Sequence, residues 1–283
     1  MIKPINSENR SVEADFVISL KMYNSIYSNI TTIITNTWLS LYRLYMTNNF
    51  GGQPLVIRHR INTIVGLRKV SPIYGVEIDI KHDPWEDKLY LSHDIGKYDQ
   101  KTGVKPGDDF EDYIKVFKEQ KNRFIIFNIK ETGIERRVID AAQFLGIENY
   151  FLLDVEIPFI YRAAFKQDSD SKKLQKQLKG RIAIRYSEAE PIEQALLFKG
   201  KFKWVWVDVN SRLPLDPETY MKLTAAGYKL ALVCPERWGR PQDIPVYIAK
   251  MKHDDIKIDA VMTSQSYVKQ WEQSGVLNPF YGK

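Results

Sequence analysis

"GVEIDI", residues 75–80, is the stretch on which the reading of this chain turns. Side chains alternate across a strand, so Glu77 and Asp79 share one side while Val76, Ile78 and Ile80 share the other. Two neighbouring carboxylates repel and are costly to desolvate, so they need water, a cationic partner or a bound cation beside them. A half-exposed edge strand with one polar face shows the same alternation. The rest of the chain has to separate these two readings.

Working outward from that strand, apolar segments alternate with amphipathic or capped helical stretches from Pro54 onward, the mark of parallel βα units. The strand candidates are "PLVIRHR" (54–60), "GVEIDI" (75–80), "RFIIFNIK" (123–130), "YFLLDVEI" (150–157), "RIAIRYSE" (181–188), "FKWVWVDVN" (202–210), "YKLALVCPE" (228–236) and "IDAVMTS" (258–264). Between them, "DDFEDYIKVFKEQ" puts Phe110, Ile114 and Phe117 on one helical face. "IERRVIDAAQFLG" stops at Gly146, and "DPETYMKLTAAG" starts on Asp216-Pro217 and stops at Gly227. Eight such strands predict a closed α/β TIM (β/α)8 barrel over residues 50–283, preceded by an N-terminal extension, residues 1–49.

The polar residues gather at strand ends. His59 and Arg60, Glu77 and Asp79, Asn128 and Lys130, Asp154 and Glu156, Arg185, Asp208 and Asn210, and Glu236 all lie toward the C-terminal end of their strands. In a (β/α)8 barrel those ends share one mouth, where active sites are built. Scattered surface polarity would not produce that bias, so the expectation moves from an edge strand to a site.

Composition narrows the chemistry. With 283 residues, 44% of them hydrophobic, the chain can bury a barrel-sized core. Its one cysteine, Cys234, excludes an intrachain disulfide and any cysteine-rich zinc site. The net charge of +6 suits an anionic partner. No acidic residue falls between Asp15 and Glu77, whereas Lys21, Arg43, Arg58, Arg60, Arg68 and Lys69 do. No basic run interleaved with aromatics marks a nucleic-acid track. Glu8, Glu13 and Asp15 are incompatible with a secretory signal peptide, and Ser, Thr and Asn interrupt residues 16–46 too often for a membrane span. A cytoplasmic chain is expected, with peripheral membrane contact by the N-terminal segment left open and the oligomeric state unread.

His59-Arg60, Glu77-x-Asp79, His93-Asp94 and Asn128-x-Lys130, in that order on successive strands, resemble the glycerophosphodiester phosphodiesterase family. The related sphingomyelinase D type of phospholipase D, found in spider venom, shares the plan. The resemblance spans most of residues 54–271 and includes the last strand, "DAVMTSQS". It implies a PLC-like phosphodiesterase barrel that hydrolyses a glycerophosphodiester-like or phospholipid-like substrate, a small molecule or a lipid headgroup. By that resemblance His59 and His93 are the acid–base pair. Glu77 and Asp79 hold one divalent cation, Mg2+ or Ca2+, with Asn128 as a third ligand. Hard oxygen donors suit such ions, and a histidine titrating near neutrality suits proton transfer. Arg60 and Lys130 would neutralise the phosphate, while Glu156, Arg185 and Asp208 are candidates for reading the rest of the substrate. His82 and His253 sit in charged surroundings and are read as solvated.

The sequence also departs from the family. A third carboxylate is usual two positions before the lysine, and Asn128 stands there; an amide brings no charge, so metal affinity should fall unless Glu156 restores it. The glycine-rich stretch after His-Arg is missing, since "HRINT" follows directly. Two other classes therefore stay open: a catalytically silent barrel that binds a phosphorylated ligand, and a protein that docks on a membrane or polymer surface.

Overall fold

The structure, a computed structural model, describes residues 52–93 and 107–280. The expected N-terminal extension and Asp94 lie outside the described residues. The chain divides into units Met1–Gly51 and Gly52–Lys283, and the described residues all belong to the second.

Each of the apolar segments forms a strand, usually shorter than its apolar run: β1 (Gln53–Arg58), β2 (Gly75–Asp83), β4 (Phe124–Ile129), β5 (Tyr150–Leu153), β6 (Ala183–Tyr186), β7 (Trp204–Val207), β8 (Lys229–Val233) and β9 (Ala260–Thr263). These are parallel neighbours in the order β5-β4-β2-β1-β9-β8-β7-β6. A parallel bridge between Leu152 and Ile182, with the Leu152 N–H donating to the Arg181 carbonyl at 3.0 Å, brings β5 to β6 and completes the ring. The molecule is an eight-stranded TIM-like barrel. Two short antiparallel strands decorate it: β3 (Lys88–Leu91) pairs with β2, and β10 (Pro279–Phe280) pairs with β1.

One boundary differs from expectation. The second strand does not end at Ile80 but runs to Asp83, because residues Ile80 to Asp83 pair with β3 in a hairpin. Lys81 to Asp83 thus belong to the strand and not to the connection that follows it. Among the described residues no helix is long and apolar enough to cross a membrane.

Helices begin where the caps predict. Asp109 accepts from the backbone N–H groups of Glu111 and Asp112, opening the helix Phe110–Glu119, which buries Phe110, Tyr113, Ile114 and Phe117. Asp216 accepts from the Thr219 N–H ahead of Pro217, opening the helix Pro217–Ala225.

The end of the barrel opposite the strand C-termini is plugged. Phe124 meets the rings of Phe151, Trp204 and Phe280 edge-on at 5.6, 5.5 and 5.8 Å. Such pairs add to the burial of large apolar rings. Gly75 opens β2 beside this layer because nothing larger fits: a Cβ there would lie 3.0 Å from Ile57 and 3.2 Å from the Phe124 Cβ. Arg123, 2% exposed, donates to the Gln53, Pro54 and Phe280 carbonyls and lies 4.8 Å over the Phe280 ring, tying β10 across the base. With one end filled, a ligand can enter only at the other. Phe124→Ala should cost about 3–5 kcal/mol in urea denaturation, as expected for an aromatic ring removed from a packed core; a cost below about 1 kcal/mol would mean the plug is not a packed layer.

Candidate active site

The first strand ends one residue before the site begins. The His59 N–H donates to the Thr263 carbonyl at 3.3 Å, and Arg60 then takes a left-handed φ of 51°. That conformation is unfavourable for a residue with a Cβ, and it turns the Arg60 N–H onto Glu77 Oε2 at 2.8 Å. Asn62 completes the turn: its amide donates to Asp79 Oδ2 at 2.9 Å and its oxygen accepts the Asp79 N–H at 2.9 Å.

His59, Arg60, Glu77, Asp79, His93, Asn128, Lys130, Arg185 and Asp208 line one cavity of about 390 Å3 at the strand C-termini. Leu153, Trp206, Val233 and Met262 give it apolar wall, and Asp154, Arg237 and Trp238 also face it. Glu156 is not part of this lining. It is exposed, at the N-cap of the helix Ile157–Phe165, because β5 stops at Leu153 and the chain turns at Asp154, whose φ is 57°. Strand geometry no longer applies beyond that turn, and Asp154 faces the cavity instead. His82 lies outside the cavity, with Nε2 2.9 Å from Asp87 Oδ1.

A belt of alternating charge follows the strand ends. Lys130 Nζ lies 3.5 Å from Asp79 Oδ1 and donates to Asp154 Oδ2 at 3.0 Å. Arg185 donates to Asp154 Oδ1 at 2.7 Å, to Glu190 Oε1 at 2.6 Å and to Asp208 Oδ2 at 2.9 Å. Trp238 Nε1 donates to the other Asp208 oxygen at 2.9 Å. Arg185 and Asp208 thus face the cavity committed to each other. Such a network fixes the wall, since removing one member would strand its partners half-buried.

Arg237 is different. Among the described residues its half-buried guanidinium has no ion-pair or hydrogen-bond partner, although it lines the cavity. Burial, and next Arg60, lower its pKa, while Glu77 is among the groups that support its charge. Sequence reasoning missed Arg237, Trp206 and Trp238. The only signal for Arg237 was its place just after the polar end of "YKLALVCPE", and the short 3-10 turn Pro235–Trp238 that aims it inward has no mark in the alternation.

His59 lies at the centre of this cationic field. Burial first, then Arg237, Arg60, His93 and Lys130, push its pKa down from 6.5 to about 2. Its Nε2 is 3.9 Å from Glu77 Oε2, too long to hold the ring charged against that opposition. His59 is therefore held neutral and weakly basic, and an anion bound among these cations would have to raise its pKa before the imidazole could take a proton near neutral pH. The Arg60 guanidinium contacts His93 Nε2, and both histidines line the same cavity. Cys234 is no competitor as nucleophile: it is buried against the Trp271 indole N–H, and burial pushes its thiol up to about 12.

Glu77 and Asp79 are 1% and 0% exposed. Burial, and second the Asp79 charge, raise the Glu77 carboxyl to about 7. A divalent cation needs several oxygens converging on one point. Here each carboxylate oxygen already has a protein donor. Asn128 Nδ2 donates to Glu77 Oε1 at 2.8 Å and to Asp79 Oδ1 at 3.3 Å; the Arg60 N–H takes Glu77 Oε2, and the Asn62 amide takes Asp79 Oδ2. Asn128 Oδ1 is buried without a partner. Among the described residues no group of three or more His, Cys, Asp or Glu is placed to hold a metal. In this arrangement the donor set does not fit the cation that the resemblance implies.

No family model and no curated protein matches the chain. Similar solved structures include mutant tryptophan synthase alpha-subunits from the hyperthermophile Pyrococcus furiosus. One is 15% identical with a TM-score of 0.43, covering 77% of this chain and 89% of that one. Another is 14% identical with a TM-score of 0.42, covering 79% and 93%. A protein from Aquifex aeolicus VF5 is 10% identical with a TM-score of 0.42, covering 83% and 91%. Likenesses this distant carry no argument; the barrel itself is shown by the strand order of this chain.

The His59 environment has a consequence for stability. In the folded chain His59 stays neutral down to about 2, whereas unfolded it takes a proton near 6.5. The unfolded state then binds more protons throughout that window, so stability falls as pH drops below 6.5. Glu77 acts oppositely: its contribution is present below 4.5 and is lost as pH rises toward about 7. Between pH 6.5 and about 5, the wild type should lose about 2 kcal/mol more than His59→Gln in urea denaturation. Parallel pH curves for the two proteins would show that His59 protonates in the folded state.

Proposed function

We propose that the barrel is a phosphoric diester hydrolase whose reacting phosphate sits between His59 and His93. The observation that carries this reading is a half-buried neutral histidine surrounded by Arg60, Lys130 and Arg237. Cations gathered around a neutral imidazole favour a ligand that brings its own negative charge. Strand-end placement and the order of the histidine and carboxylate pairs support the same reading.

In this reading His59 accepts a proton from the attacking water or hydroxyl as the new oxygen–phosphorus bond forms. His93 supplies a proton to the leaving oxygen as the old bond breaks. Arg60, Lys130 and Arg237 stabilise the charge that develops on the phosphoryl oxygens. The carboxylate pair holds Arg60 in its turn and Lys130 at its post. Trp206 and the aliphatic wall suit a glycerol-like or lipid-like organic group, whether free or in a headgroup.

A second reading, a barrel that binds a phosphorylated ligand without turnover, draws on one observation: Asn128 stands where the family has a carboxylate. A panel of bis(p-nitrophenyl) phosphate, glycerophosphodiesters and lysophospholipids, assayed with Mg2+, with Ca2+ and with chelator, separates the two. Turnover by the wild type should fall roughly 100- to 10,000-fold in His59→Ala, the range for loss of a general base. Undiminished turnover in that variant would sink the mechanism. Arg237→Gln should weaken phosphate-ester binding roughly tenfold, one charge-assisted contact, with the melting temperature unchanged. If inorganic phosphate binds and that binding weakens in Arg237→Gln, yet no diester is cut, the silent barrel is the better account.

A further inference from the structure

We propose that in this protein the Asn128 side-chain amide takes the place of a divalent cation between Glu77 and Asp79, so that the site is assembled without metal. The parallel ladder itself sets this up: Asp79 on β2 is in register with Asn128 on β4. Both side chains therefore project from adjacent strands at the same level. A primary amide offers two N–H hydrogens on one nitrogen, and the nitrogen lies 2.8 Å from Glu77 Oε1 and 3.3 Å from Asp79 Oδ1. One donor group thus bridges two carboxylates that would otherwise repel in a site only 7% exposed at Asn128.

The remaining needs of the pair are met from the protein as well. The Arg60 N–H and the Asn62 amide take the outer oxygens, and the Lys130 ammonium stands 3.5 Å from Asp79 Oδ1. Turning the Asn128 amide over would set its oxygen against two carboxylates and remove the donor from both. A cation bound between them, or a proton on Glu77, would be needed to offset that change. A carboxylate at position 128 would make the same demand permanently, because it has no hydrogen to donate when ionised. Asparagine is the residue that lets the two-carboxylate frame persist with a hydrogen-bond donor at its centre. This holds whatever the cavity turns over.

The test is a Mn2+ titration of the full chain by electron paramagnetic resonance, with melting curves in millimolar Mg2+ and in chelator. For the wild type, Mn2+ should stay free into the millimolar range and the two melting curves should coincide. Asn128→Asp should bind Mn2+ at least tenfold more tightly than the wild type, and its melting temperature should rise with Mn2+. Stoichiometric Mn2+ binding by the wild type that is lost in Glu77→Gln would overturn the proposal. If Asn128→Asp does not fold, the side-chain NH2 resonance of wild-type Asn128 decides. A slowly exchanging pair indifferent to Mg2+ supports the bridge, and one that shifts on saturation with Mg2+ defeats it. Failure of the phosphodiesterase reading would appear separately, as absence of turnover with the metal titration unchanged. Turnover that requires Mg2+ would defeat the bridge and leave the hydrolase standing.

Discussion

Glu77 and Asp79 lie on one strand with almost no exposure, and burying ionised carboxylates costs several kcal/mol each unless they are paired and hydrogen-bonded. Much of the geometry at the barrel mouth follows from meeting that cost. The left-handed Arg60 turn brings a backbone N–H to Glu77, and Asn62 brings an amide and takes an N–H in return at Asp79. Asn128 bridges the two, and Lys130 supplies positive charge. The turn that satisfies Glu77 is also the one that carries His59 and Arg60 into the cavity.

Charge then propagates around the rim. Lys130 links Asp79 to Asp154, Asp154 links to Arg185, and Arg185 reaches Glu190 and Asp208. On this side every cation is matched. Arg237 is not matched among the described residues, and it is the neighbour that most strongly opposes a charge on His59. The cavity thus combines a charge-matched network with an unpaired guanidinium, and His59 feels both Arg237 and the nearby Arg60 and Lys130. An anion entering it would relieve repulsion already built into the fold, which is the physical basis for placing a phosphate there.

Much of the fold was legible because strands of a parallel barrel are buried on both faces and read as apolar runs such as "RFIIFNIK". Their C-terminal polarity also pointed to one mouth, and His59, Arg60, Glu77, Asp79, His93, Asn128, Lys130, Arg185 and Asp208 do meet there. Legibility stopped where the period-two rule stopped. Glu156 was expected at the site from its place near the end of the segment 150–157, but the chain leaves strand geometry at Asp154. Arg237 and Trp238 sit on a short helical turn after β8, where alternation says nothing.

By itself the sequence determined the order of strands and helices and the set of polar residues brought to one end, because backbone pairing and apolar burial act through local periodicity. Only the tertiary structure decided which of those residues are tied to one another. Arg185 looked like a substrate ligand and is held by three carboxylates; Asn128 looked like a metal ligand and donates to two. Arg237, unremarked in the sequence, lines the cavity with no ion-pair or hydrogen-bond partner among the described residues. Partnership depends on distances between strands far apart in the chain, and a one-dimensional pattern carries no information about those distances.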